Sequence, residues 1–190
     1  MTAKRIIVGV CGGIACYKVC DVVSLLYQRG FDVTVIMTRA ARRFVRPFTF
    51  QTLSHKKVYT ALFDESEYDP SHIYLADNAD LFLVAPATAN VIAKLAVGIA
   101  DDLLTTCALA LKAPLMLAPS MNDNMWSHPT VKTNLATLGS RGALVVAPDS
   151  GYLACDRIGT GRLPAPDAIV AAVEKLLGPG PGRVFPPQKS

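Results

Sequence analysis

"RIIVGVCGGIACYKVCDVVSLLYQRGFDVTVIM", residues 5–37, is the stretch whose reading decides the fold. "RIIVGVC" (5–11) is short, apolar and rich in β-branched residues, as a buried strand requires. Two glycines, Gly12 and Gly13, break the run. Ile14, Val19, Val22, Val23 and Leu26 then recur at helical spacing up to "RG" at 29 and 30, where the helix ends. "DVTVIM" (32–37) reads as the next strand. Strand, glycine turn, helix and strand form the opening of an alternating α/β chain.

The same alternation continues outward. "DLFLVAP" (80–86), "APLMLAP" (113–119) and "ALVVAP" (143–148) read as three further strands. Helical patterns fall between them: Val91 to Ile99, Leu103 to Leu111, and Val131 to Leu138. Strands apolar on both faces, separated by helices, describe a single-domain open parallel sheet with helices on both faces. "APDAIVAAVEKLL" (165–177) reads as a closing helix, so the domain is expected to span 1–178. Residues 179–190 are mostly Gly, Pro and polar, which predicts a disordered tail or the stump of a linker.

Bulk properties exclude several classes. At 190 residues and 51% apolar, the chain suits one domain with a large core. A net charge of +4, spread along the chain, is too weak and dispersed for a nucleic-acid groove or a membrane surface. "MTAKR" before an apolar run imitates a signal peptide, but Gly12 and Gly13 split the run and a helix follows, so a cytoplasmic protein is expected. The five cysteines (Cys11, Cys16, Cys20, Cys107 and Cys155) are odd in number and lack CxxC spacing, so free thiols are expected rather than disulfides or a metal site.

Ligands of such sheets sit beyond the carboxyl ends of the strands. Four stretches occupy that edge: "CGGIA", "TRA", "APATAN" and "APSMNDNMW". Gly12 and Gly13 permit close approach of an anion or flat ring near a helix N-terminus, or they serve only a tight turn. The spacing is neither GxGxxG nor a P-loop. Thr38 and Arg39 end the second strand where an NAD protein carries an acid, which disfavours NAD and leaves a phosphate ligand, NADP included, open. Thr88 and Asn90 offer hydrogen bonds to a ligand or a helix cap. "ADD" (100–102) reads as an N-cap with its acids against the dipole. Spacing alone does not select His72, His55 or His128, and His128 reads as part of the helix start that Pro129 opens. "GYLACDRIGTGRLP" (151–164) is Gly-rich, and reads either as a mobile lid with a thiol proton donor or as an ordinary surface loop.

Taken in order, "GGIACYK", "MTRAA", "SHIYLADNADLFLVAPATAN", "GIADDLLTTCALA", "APSMNDNMWSHP" and "GYLACDRIGTGR" resemble the homo-oligomeric flavin-containing cysteine decarboxylases, over about residues 4–177. The resemblance implies a Rossmann-like flavoprotein fold and FMN as cofactor. Gly12, Gly13 and Ile14 would meet the flavin, Thr38, Arg39 and Ala40 the phosphate or ribityl chain, and Thr88, Ala89, Asn90 and Val91 with Ser120 the rest of the site. Asn122 would hold the substrate's amide and carboxylate. Met121 would line the substrate pocket, with Met125 and Trp126 packed around it. The implied reaction is the decarboxylation of 4'-phosphopantothenoylcysteine to 4'-phosphopantetheine in coenzyme A biosynthesis. Hydride leaves the cysteine β-carbon, a thioaldehyde loses CO₂ to give an ene-thiol with His72 as base, and hydride returns while Cys155 protonates the product.

The resemblance further implies a homotrimer, with a dodecamer as the larger assembly, because the family builds its flavin site between subunits. It also implies a link to phosphopantothenate-cysteine ligase, which makes the substrate. Three positions depart from the family pattern: Asp156 stands where Gly commonly follows the lid cysteine, Leu163 where Met is common, and Val91 where Thr is usual. A peptidyl-cysteine decarboxylase of antibiotic-peptide maturation and a non-catalytic FMN-binding regulatory protein are the alternatives.

Overall fold

A computed structural model describes residues 2–63 and 71–183. The chain runs β1 (Arg5–Val10), α1 (Cys16–Gln28), β2 (Asp32–Met37), α2 (Pro47–Ser54), β3 (Val58–Tyr59), α3 (Ser71–Asn78), β4 (Leu81–Ala87) and α4 (Ala89–Val97). It continues through α5 (Leu103–Ala110), β5 (Leu115–Pro119), α6 (Asp123–Ser127), α7 (Pro129–Ser140), β6 (Leu144–Val145), β7 (Asp149–Leu153), β8 (Arg157–Arg162) and α8 (Pro166–Leu177). The first six strands form a parallel sheet in the order β3-β2-β1-β4-β5-β6, and β7 and β8 pair as a separate antiparallel hairpin.

The strands divide their side chains between two cores, as a sheet covered on both faces must. Ile6, Val8 and Val10 of β1, Val33 and Val35 of β2, and Leu81 and Leu83 of β4 pack with α1, α2 and α8 on one face. Ile7, Ile36, Phe82, Val84 and Leu117 point to the other, against α3, α4, α5 and α7. The opening stretch behaves as its pattern predicts. Helix α1 buries Val19, Val22, Val23 and Leu26 and stops at Gly30, whose φ of 90° suits a glycine that turns the chain back into β2.

Four features differ from the sequence reading. The fifth strand is not 143–148 but two residues at the sheet edge, Leu144 and Val145, about 40% exposed. Among the described residues it pairs with β5 alone, and α7 packs beside it. Helix α2 and strand β3 fill the long connection after β2, and His72 sits within helix α3 instead of a loop. The glycine-rich segment after residue 148 is an ordered hairpin. The first residues of the tail are held: the Gly182 amide donates to the Arg29 carbonyl and the Arg183 guanidinium stacks 3.6 Å from the Tyr27 ring centroid. Residues 184–190, the rest of the expected tail, lie outside the described residues. Among the described residues no helix is long and apolar enough to cross a membrane.

Candidate functional site

The strand order reverses between β1 and β4, so the connections leaving them diverge and open a crevice at their carboxyl ends. A cavity of about 800 Å³ lies there, toward the large end of ordinary ligand sites. Gly12, Gly13 and Ile14 enter from β1, Thr38, Arg39 and Ala40 from β2, Thr88, Ala89, Asn90 and Val91 from β4, and Ser120, Met121 and Asn122 from β5. Cys155 joins them from the β7–β8 hairpin.

The two glycines act differently. A Cβ on Gly12 would stand 2.3 Å from Ala40 Cβ, so Gly12 is the condition for the β1 and β2 loops to meet. A Cβ on Gly13 would meet nothing nearer than Thr88 Cγ2 at 3.8 Å, so that position keeps space free in the cavity itself. Thr38 Oγ1 accepts from the Ala41 amide and Thr88 Oγ1 from the Val91 amide, which holds both connections in shape. Beneath them Cys11 is fully buried, and burial pushes its thiol far above the ordinary range, so it packs and does not react.

The wall's charge is mostly positive. Lys18, Arg39, Lys94 and Arg162 reach it, and the acid among its described residues is Asp102. Lys94 is committed to Asp101 at 2.6 Å. Asp102 caps α5 in the arrangement read from "ADD", accepting from the Thr105 amide at 2.9 Å, with Thr105 Oγ1 returning to the Asp102 backbone. The remaining cations suit an anionic ligand.

Asn122 is fixed by its own helix. Its Oδ1 caps α6 through the Asn124 amide at 2.9 Å, which turns Nδ2 toward the hairpin, 3.3 Å from Cys155 Sγ. The hairpin seats on this loop because it is glycine-rich: the Met121 amide donates to the Gly161 carbonyl, and a Cβ on Gly161 would strike Met121 O. Gly159 lies against Asp123 in the same way. Met125 also lines the cavity, whereas Trp126 packs beside α7, with Lys132 Nζ 3.6 Å from its ring centroid. His128 caps α7 through the Thr130 amide, as its place before Pro129 predicts.

His72 is the one expected site residue that does not line the cavity of its own chain. Helix α3 packs on α5, where the His72 carbonyl accepts from Cys107 Sγ. His72 Nδ1 is shielded from solvent and has no hydrogen-bond partner among the described residues. Among the lining residues that the sequence pattern does not mark as such are Asp102, which reads only as a cap, and Lys18, Lys94, Tyr152 and Arg162.

Known proteins are similar to this chain throughout. The flavoprotein family matches residues 1–178. The coenzyme A biosynthesis bifunctional protein CoaBC of Bacillus subtilis (strain 168) is 53% identical over 173 residues, 90% of this chain and 43% of the relative. The same-named protein of Mycolicibacterium smegmatis is 44% identical over 92% of the chain and 42% of the relative. The chain therefore spans less than half the length of these curated relatives. Among solved structures, the FMN-dependent cysteine decarboxylase SpaF is 31% identical with a TM-score of 0.75, covering 90% of this chain and 97% of that one. A PPC decarboxylase variant complexed with pantothenoylaminoethenethiol, at 24% identity and a TM-score of 0.83 over 93% and 99%, shares the fold.

Proposed function

The chain belongs to the flavoprotein family, and on that premise we propose that it binds FMN at the carboxyl edge of the sheet and decarboxylates 4'-phosphopantothenoylcysteine to 4'-phosphopantetheine in coenzyme A biosynthesis. The relatives named for that pathway support the substrate, and the cationic wall suits a ligand and a substrate that both carry phosphate. The space kept at Gly13, with no side chain to fill it, fits a flat ring. When bound, FMN supplies a reversible two-electron sink for the substrate's cysteine moiety.

One observation carries the reading. Asn122 Nδ2 donates to Cys155 Sγ at 3.3 Å on the cavity wall, which supports reading the pair as a carboxylate-binding group beside a proton donor. In this reading Asn122 Nδ2 holds the substrate's carboxylate until CO₂ leaves. Cys155 gives its thiol proton to the ene-thiol in the return half of the reaction, and a proton from water restores it.

His72 is the base of the first half, and it acts from a neighbouring copy of the chain in a homotrimer that can assemble further into a dodecamer. Two sets of exposed apolar side chains support that docking. Ile73 and Tyr74 follow His72 on α3 at 48% and 54% exposure, and Ile14 and Tyr17 stand at the cavity at 57% and 58%. Faces of this kind are ordinarily covered. Placement in the cytoplasm and a functional link to phosphopantothenate-cysteine ligase belong to the same proposal.

The test is direct. The purified chain should be yellow, release FMN on denaturation, and liberate CO₂ from 4'-phosphopantothenoylcysteine in equal amount to 4'-phosphopantetheine. FMN-loaded protein that releases CO₂ only from a peptide with a C-terminal cysteine would overturn the substrate, and one inert toward both would overturn the activity.

A further inference from the structure

The β7–β8 register pairs Leu153 with Arg157, so the hairpin is closed by residues 154–156 alone, with Cys155 in the middle. Three-residue connections of this type place their last residue in the left-handed region, a place that glycine ordinarily fills. Here it is Asp156, with φ of 62°. Among residues with a Cβ, aspartate tolerates that conformation better than most, but it remains unfavourable unless something holds it.

Two contacts hold it. Tyr152 Oη donates to Asp156 Oδ1 from the preceding strand, and the Asp156 amide donates to the Leu153 carbonyl at 3.1 Å. The hydrogen bond to Asp156 raises the Tyr152 phenol above its ordinary value. At the other side of the turn Cys155 Sγ stands 3.3 Å from Asn122 Nδ2. Cys155 and Asp156 share a peptide bond in this three-residue turn, so the backbone angle of Asp156 and the place of the thiol are tied together.

We propose that Tyr152 is a positioning residue for Cys155: its phenol braces Asp156 in the left-handed turn and thereby holds the thiol against Asn122 at the cavity wall. The proposal rests on the reading of Cys155 as the proton donor of the return half. The brace itself is a property of the hairpin and can be measured without turnover.

The experiment compares the purified full chain with Tyr152→Phe, Asp156→Gly and the double variant by amide hydrogen exchange across residues 152–158. Each is also assayed for 4'-phosphopantetheine formed per CO₂ released. Loss of one hydrogen bond should raise exchange in Tyr152→Phe by about three- to tenfold. Its product-to-CO₂ ratio should fall as ene-thiol accumulates. Glycine takes the left-handed turn unaided, so the double variant should return to within about twofold of the parent in both measurements. Unchanged exchange in Tyr152→Phe would overturn the proposal, as would a double variant as loose as the single one. So would a double variant with restored exchange but an undiminished product defect, since Tyr152 would then act on the substrate itself. If the parent releases no CO₂, the decarboxylase reading falls, and exchange alone decides whether Tyr152 braces the turn.

Discussion

Gly12→Ala and Gly13→Ala, adjacent and chemically identical changes, should fail in different ways. Neither glycine has a positive φ, so alanine is allowed by the backbone at both positions and only the surroundings matter. At Gly12 the new methyl would lie 2.3 Å from Ala40 Cβ and 2.9 Å from the Ala40 carbonyl carbon, so the 38–40 loop must retreat by about 1.2–1.7 Å to reach van der Waals contact. Overpacking of this kind costs about 1–3 kcal/mol. In a chain of this length that lowers Tm by about 2–12 °C. If the displaced loop transmits the same loss to the cofactor's phosphate side, FMN affinity falls about 5- to 150-fold. At Gly13 the methyl would meet Thr88 Cγ2 at 3.8 Å and Pro86 Cγ at 4.0 Å, which is ordinary contact, so the protein stripped of FMN should melt at the parental temperature. Its methyl would instead occupy the cavity, and FMN binding should weaken without a stability change. Thermal unfolding of the stripped proteins by circular dichroism, together with titration of FMN by fluorescence quenching, separates the two. The reasoning is refuted if Gly12→Ala keeps both parental Tm and parental affinity, or if Gly13→Ala destabilises the stripped protein as much as Gly12→Ala does.

Two further outcomes follow from the same geometry. His72→Asn and Asn122→Asp should each be inactive on 4'-phosphopantothenoylcysteine, yet co-assembled in equal amounts they should recover about a quarter of parental CO₂ release by random mixing. A mixture as inactive as its components would place the base and the amide in one chain's site. Alkylation of the native protein at pH 8 should modify Cys155, which is exposed, and spare Cys11 and Cys16, which are buried, and Cys107, whose thiol burial pushes up to about 12. Mass spectrometry that finds Cys107 labelled as fast as Cys155 would contradict the packing of α5.

How far the sequence carries depends on whether a property is local. The β1–α1–β2 unit was legible because β-branched runs, a glycine pair and a 3.6-residue period are properties of contiguous residues, and the buried strands then divide between two cores with the alternation expected of them. The cavity wall was legible for a topological reason: once the sheet is parallel, the residues after each strand must share one edge. Asp102 was half legible, since its capping geometry is local while its place on the wall depends on where α5 packs. The glycine-rich segment after residue 148 reads as a lid or a surface loop because its strands β7 and β8 carry polar and glycine residues. They are held by each other and by the close approach of Gly159 and Gly161 to the 121–123 loop, a contact no periodicity records. Asp156 shows the same limit. Its left-handed turn is visible only once the β7–β8 register leaves three residues to close the hairpin. His72 marks the furthest boundary. Its helix faces α5, and its Nδ1 lacks a partner among the described residues of its own chain. A buried ring nitrogen without a hydrogen bond is unfavourable, and no local pattern in the sequence forecasts it. The co-assembly experiment tests whether His72 completes the site of a neighbouring copy.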